Sequence, residues 1–125
     1  MMLVHDWMLA TLVLLFFKHW YIDFVDQSMD EVNGKGIYGN WLGIRHSLKH
    51  GLGTFVVIGI MGESIEGAVV LGFLDFILHY HIDWAKMNWG NRDIQNPKFW
   101  AHLGLDQFAH QLVYLGMIYL VLLNI

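Results

Sequence analysis

No cysteine occurs among the 125 residues, and only one proline, Pro97. The missing cysteine excludes a disulfide framework, a thiolate metal site and a thiol nucleophile. Any chemistry must therefore come from histidine, carboxylate, serine, threonine or lysine. Charge is scarce as well: 14% of residues are Asp, Glu, Lys or Arg, against roughly 25% in an ordinary soluble domain. Only seven are Lys or Arg, and the formal net charge is −4, which rules out the dense basic face of a nucleic-acid binder. Apolar and aromatic residues make up 56% of the chain, too many for disorder and more than a water-soluble domain of this length can hide. Eight histidines stand against that background, each costing free energy if buried without a partner.

A hydrocarbon core of about 30 Å needs about 20 mostly apolar residues. Four stretches qualify, residues 7–25, 41–61, 66–84 and 99–124. The expectation is an all-α polytopic membrane protein: one domain over residues 1–125, a bundle of four transmembrane helices. The first stretch carries Lys18, His19 and Asp23 near its end and lacks a basic leader, so it reads as a retained span and not a cleaved signal. Loop one (residues 26–40) holds Gly34, Gly36 and Gly39, and loop three (residues 85–98) holds Gly90 and Pro97, both turn material. The fold of loop one is left open. Lys35, Lys86, Arg92 and Lys98 belong to these two loops, whereas the termini and the loop near residues 62–64 have no Lys or Arg. The positive-inside rule then places loops one and three in the cytoplasm and both termini outside. Trp20, Trp41, Trp84, Trp89 and Trp100 fall near that same boundary as an interfacial belt. A bacterial inner membrane is the expected location.

Four pairs of metal-ligand residue types recur at one spacing: His19 and Asp23, His46 and His50, His79 and Asp83, Asp106 and His110. Residues i and i+4 share a helix face about 6 Å apart along the axis, so two such side chains can converge on one ion. The first and third pairs lie near the ends of their helices, the second and fourth near the starts. Alternating helix direction therefore brings all four to one depth, a polar metal-binding layer near the cytoplasmic interface. Five His and three Asp exceed the needs of one tetrahedral ion and suit two divalent ions. Imidazole with carboxylate suits zinc, iron, manganese or nickel, with zinc and iron the leading candidates. The plain alternative is a hydrogen-bonded polar network or proton relay without metal.

Asp75, one turn deeper than His79, is a further ligand or a group that orients a histidine. His102, one turn before Asp106, is either a further ligand or a headgroup-level histidine, while His81 points away from His79 and His5 lies on the wrong side. Lys86 follows Asp83 by three residues and emerges on the site face, placed to balance negative charge. With Asp83 and Asp106 it forms the candidate catalytic set. Lys18, Arg45 and Lys49 read as snorkelling cations, and Gly43, Ser47 and Gly51 as a stripe for close helix packing.

The stretch from His19 through Asp23-Phe24 and Gln27 to Lys35, then His46-x-x-x-His50-Gly51, Leu78-His79 through Ile82-Asp83-Trp84 to Lys86, and Leu105-Asp106-Gln107-x-x-His110 resembles small bacterial and phage membrane proteins of domain-of-unknown-function family thirty-three-oh-seven. That likeness covers about four-fifths of the chain. It implies a membrane bundle with these polar positions and no particular reaction; Asp75, His81 and His102 fall outside its pattern. More distantly, the layout is similar to bacterial membrane metal-dependent hydrolases, by analogy alone. The leading expectation is a metal-dependent hydrolase of a lipid or lipid-linked substrate. The alternatives are a membrane di-iron oxygenase or hydroxylase of acyl chains, and a non-enzymatic phage or bacterial protein with a structural metal or proton relay. A conduit is disfavoured because the outer halves of the spans are apolar. Membrane lipid is the expected partner, and a homo-oligomer is left open.

Overall fold

The computed structural model describes residues 2–124 and is helical wherever it is regular. Helix α1 runs Val4–Trp20 and continues as a π-helical stretch over Tyr21–Asp26. The short α2 spans Met29–Gly34, α3 Trp41–Ile60, α4 Ile65–Trp89 and α5 Pro97–Leu122. Three helices are long and apolar enough to cross a membrane: α1 with its π-helical extension, α4 and α5. Helix α3 has 20 residues but carries Arg45, His46, Lys49 and His50 in its first half, and it is not among them.

The helix starts follow from side chains that satisfy otherwise orphaned backbone N–H groups. Asn40 accepts from Leu42 N at 2.9 Å, Ser64 from Gly67 N at 3.0 Å and Asn96 from Lys98 N at 3.0 Å. Ser28 and Glu31 form a reciprocal capping box at the start of α2. Pro97 is therefore not loop material but the first residue of α5, where its missing N–H costs nothing. Likewise α4 does not stop at 84: Ala85, Lys86 and Met87 are good helix formers, and the helix runs on until Gly90. Lys86 and Trp89 thus stand on a helix, and loop three shrinks to residues 90–96.

Packing divides the interior in two. Near the α3–α4 turn, Leu15, Val57, Ile58, Ala68, Leu71, Tyr114 and Met117 form an apolar core. Trp7 closes that end by donating from Nε1 to the Met61 carbonyl at 2.9 Å. Toward the other end the buried residues are polar. Among the described residues fifteen polar or charged side chains are buried against ten hydrophobic ones, while Leu9, Val13, Phe73 and Leu105 are each more than 60% exposed. This is the inverse of a water-soluble domain, and it is what a lipid-facing exterior requires.

The small-residue stripe on α3 serves two different neighbours. A Cβ on Gly51 would lie 2.7 Å from the Gly72 carbonyl oxygen of α4, so this pair sets the close α3–α4 contact. Gly43 instead admits the backbone of Gly34 and Lys35, and this folds loop one back over the ends of α3 and α4. Gly39, at φ +83°, makes the turn from that loop into α3.

Candidate metal centre

Asp23 sits in the π-helical stretch, a widening of the helix often found at functional sites. The altered turn leaves its carbonyl to Gln27, whose Nε2 donates to it at 3.1 Å. The Asp23 carboxylate projects into the bundle, where His46 Nε2 lies 3.0 Å and His50 Nε2 2.9 Å from Oδ1, and His19 Nε2 3.1 Å from Oδ2. From α4, His79 Nε2 is 3.7 Å from the same Oδ1. Asp83 faces this group across the cluster. Its Oδ2 is 3.1 Å from His79 Nε2 and 3.5 Å from His46 Nε2, and its Oδ1 is 3.2 Å from His110 Nε2. Asp106 Oδ1 lies 3.5 Å from His110 Nε2. The four i, i+4 pairs thus meet at one level, and all eight side chains are buried.

Three sets have donor atoms close enough together to hold an ion: Asp23, His46, His50 and His79; His19, His79 and His110; and Asp83, Asp106 and His110. The donor chemistry fits a borderline or hard divalent cation, because every donor is imidazole nitrogen or carboxylate oxygen. Two further observations bear on the fit. Buried side-chain atoms without a hydrogen-bond partner gather here: His46 Nδ1, both nitrogens of His79 and Asp106 Oδ1. Buried polar atoms are ordinarily satisfied, and a coordinated ion would engage His79 Nε2 and Asp106 Oδ1. The imidazoles also stack, His50 on His79 at 3.5 Å and His79 on His110 at 4.1 Å between centroids. Like charges on adjacent stacked rings repel, so neighbouring rings do not both carry a proton, and an unprotonated ring keeps a lone pair for a metal.

Lysines match most of the buried carboxylates one to one. Lys35 Nζ is 2.9 Å from Asp83 Oδ2, Lys86 Nζ 3.1 Å from Asp106 Oδ2 and Lys18 Nζ 2.8 Å from Asp75 Oδ2. Asp23 has only histidines within ion-pair distance among the described residues. A buried carboxylate without a fixed cation is the position where a divalent ion relieves the most unfavourable charge.

Other residues of interest fall outside these sets. Asp75 is not with the cluster but beneath it, accepting from Lys18 and from Thr54 Oγ1 at 2.6 Å. Lys18 in turn lies 3.4 Å from His50 Nδ1 and donates to Tyr114 Oη at 2.9 Å. Asp75 therefore acts on a histidine through Lys18. His102 is taken up by the backbone, its Nδ1 accepting from Asn91 N at 2.7 Å. His81 is occupied by Tyr38 Oη at 3.0 Å and the Ile77 carbonyl at 2.7 Å, and His5 is near Asp6 at the exposed N-terminal end. Of the three cations read as snorkelling, Lys18 is corrected by its burial, and the other two are part-exposed and ion-paired. Lys18 is buried with Asp75, while Arg45 and Lys49 bind Glu31 at 2.9 Å each, with Lys49 also reaching Asp26 at 2.6 Å.

Several contributors escape a reading based on ligand pairs. Tyr114 Oη lies 3.0 Å from His19 Nδ1, and Gln107 Oε1 lies 2.9 Å from His19 Nε2. Tyr114 continues the i, i+4 stripe of Asp106 and His110, so its position could be found. Lys35 is an isolated lysine between glycines and gives no such signal. Glu31 is fully buried beside α3, its Oε2 4.0 Å from His46 Nδ1, and the Ser28-x-x-Glu31 capping pattern was its only trace.

Burial alone would push the Glu31 carboxyl up. Hydrogen bonds from Lys49, the Ser28 backbone and Arg45 outweigh it and hold the group below its ordinary 4.5. A depressed carboxylate stabilises the fold above its unfolded value, and the contribution is lost as the pH falls through the lowered one. Glu31→Gln should therefore lower stability at neutral pH and flatten the acid limb of the stability curve below about pH 4.5. Thermal unfolding of both proteins across pH 3–7 checks this, and an unchanged acid limb would contradict it.

A family model described as a protein of unknown function, DUF3307, matches residues 11–125. No curated protein and no solved structure matches, so the likeness to membrane hydrolases rests on the layout of residues alone.

Proposed function

Since the chain belongs to the DUF3307 family of unknown function, membership brings no reaction with it, and we propose from the geometry that it is an integral membrane metal-dependent hydrolase of a lipid or lipid-linked substrate. The convergence of five His and three Asp from four helical segments on one buried level carries this reading.

Helix α3 completes a four-span bundle. Twenty helical residues are about 30 Å long, enough for the hydrocarbon core. Its two most costly cations are paired with Glu31 and Asp26 at the end of the bundle. Arg92 and Lys98 lie at that same end, and exposed Trp20, Trp41, Trp89 and Trp100 surround it, which supports the orientation with loops one and three in the cytoplasm. The centre then sits just inside the cytoplasmic interface, within reach of a substrate anchored in the bilayer.

Two divalent ions, zinc, iron or manganese, fit the donor sets. Asp23, His46, His50 and His79 would hold the first, and Asp83, Asp106 and His110 the second, with His19 beside both. When bound, the ions supply Lewis acidity for a phosphoryl or acyl centre. The chain's own residues do the rest. A carboxylate oxygen that the ions would leave free, on Asp83 or Asp106, takes a proton from the attacking water and returns it to the lipid oxygen as its bond to phosphorus or carbonyl carbon breaks. Asp83 holds His79 and His110 in place, and Lys86 balances the charge that develops beside Asp106.

The test is elemental analysis of detergent-purified protein, with His46→Ala/His50→Ala prepared in parallel, followed by release of phosphate or fatty acid from a panel of lipids. Two ions per chain, lost in the variant together with turnover, are expected. Bound iron with oxygen-dependent acyl oxidation would replace hydrolysis by oxygenase chemistry. Absence of metal from both proteins after reconstitution would leave a hydrogen-bonded network.

A further inference from the structure

Between α4 and α5, at the loop-three end, a cleft of about 380 Å³ opens beside the metal centre. Its walls are apolar, from Ile82, Ala85 and Trp89 on one side and Leu105 and Ala109 on the other. Two polar groups of the centre, Lys86 and Asp106, line it as well. Lys86 differs from the other two lysines of the buried ion pairs. The side chains of Lys18 and Lys35 are 8% and 3% exposed, whereas that of Lys86 is 22% exposed. The Asp106 carboxylate is 1% exposed and presents its unpartnered Oδ1 toward His110, in the set with Asp83. One cleft, which His102 also lines, therefore joins apolar walls, the most exposed lysine of the three buried pairs and a residue of a candidate metal set.

We propose that this cleft is the substrate entry of the hydrolase and admits a phosphate monoester on an apolar chain, a deepening that rests on the hydrolase reading above. An anionic headgroup is the complement of Lys86, whose ammonium is the cation of the buried pairs most open to an incoming ligand. The apolar walls accept the first carbons of the chain, and the volume lies at the lower end of the range for small-molecule pockets. A neutral glyceride satisfies the walls and leaves Lys86 with Asp106 as its one anion among the described residues. Inorganic phosphate satisfies Lys86 and leaves the walls in contact with water. Only the joined molecule uses both. Entry from the side between two helices also spares the substrate a passage through water.

The experiment is calorimetric titration of the purified protein, with its native metal content, in a maltoside detergent. The probes are dioctanoyl phosphatidate, dioctanoylglycerol and inorganic phosphate. Phosphatidate is expected to bind at least tenfold more tightly than either of the others. Ala109→Phe, which fills the cleft and replaces no ligand residue, should weaken phosphatidate at least tenfold with metal content unchanged. Ala85→Leu on the facing wall gives the same test if the larger substitution does not fold, and Lys86→Met should remove the preference over dioctanoylglycerol. Equal binding of phosphatidate and dioctanoylglycerol, equal binding of phosphatidate and inorganic phosphate, or phosphatidate binding that survives both wall substitutions would overturn the assignment. Binding is read apart from turnover. A protein that takes phosphatidate into the cleft and never releases phosphate keeps the cleft and loses the hydrolase reading; one that hydrolyses it equally well after both wall substitutions keeps the hydrolase and loses the cleft.

Discussion

Asp23→Asn is expected to strip the protein of its most tightly held ion. Two imidazoles approach one oxygen of Asp23 within 3.0 Å, a third reaches the other oxygen, and among the described residues no lysine or arginine within ion-pair distance offsets its charge. The substitution keeps shape and removes that charge. A unit charge acting on another at 4 Å is worth about 4 kcal/mol at an effective dielectric of 20, and each 1.4 kcal/mol is about tenfold in affinity. The expected loss is therefore about a thousandfold or more, since the ion is divalent. Metal content after purification reads this directly. A second measurement separates coordination from hydrogen bonding: chelator should lower the melting temperature of the native protein through lost binding energy and have a smaller effect on Asp23→Asn, which keeps only the Asp83, Asp106 and His110 set. His102→Ala is the matched control, because His102 Nδ1 is taken by the Asn91 backbone and His102 is in none of the three donor sets, so this variant should keep full metal content. Native metal loading in Asp23→Asn would remove Asp23 from the ligands and with it the first of the two sites.

How much of this was readable before the fold depends on whether a contact obeys helix periodicity. The eight clustered side chains were legible because each pair is i, i+4 and because successive antiparallel helices bring pairs at ends and starts to one level. Tyr114 obeys the same period and was legible in principle. What periodicity cannot supply is the partner across helices. Nothing in the neighbourhood of Lys18 in the chain points to Asp75, 57 residues away. A cue exists only in three dimensions, where Gly53 leaves room for the lysine stem and a Cβ there would come within 2.7 Å of Lys18 Cδ. Reading Lys18, Arg45 and Lys49 as snorkelling cations assumed water or headgroups as their only available partners. Glu31, brought in by the folding of loop one, supplied a closer one for two of them. Helix ends were misplaced for a related reason. Hydropathy marks where apolar residues stop, whereas the helix stops where capping and glycine stop it, so α4 carries Lys86 one turn past the apolar stretch.

The buried Lys18–Asp75 pair makes the second strong prediction, because its effects on stability and on metal binding separate. Lys18 Nζ donates to Asp75 Oδ2 at 2.8 Å, Tyr114 Oη at 2.9 Å and the His50 carbonyl at 3.2 Å. Both side chains are almost fully buried. Lys18→Met leaves a carboxylate in the interior without its cation, at a cost of about 3–5 kcal/mol, and Asp75→Leu strands the ammonium at a similar cost. The double variant removes both charges and should recover most of that, the remainder being about 1 kcal/mol for the Thr54 hydroxyl left unpaired. The double-mutant cycle, read by unfolding in detergent, is therefore expected to be strongly non-additive, with the double variant more stable than either single one. Additive losses would mean that the pair is not coupled. Metal affinity should not recover in parallel. In the native protein Lys18 ties the backbone of His50 to Tyr114, and Tyr114 Oη meets His19 Nδ1 at 3.0 Å. With the lysine gone, His50 loses its contact at Nδ1 and at its carbonyl, and Tyr114 loses the donor that anchors its hydroxyl beside His19, so the centre should bind its ion about 10–100-fold more weakly, as losses of outlying partners at metal sites do. A double variant that regained native stability and native metal affinity together would show that Lys18 holds up the bundle and does nothing for the centre above it.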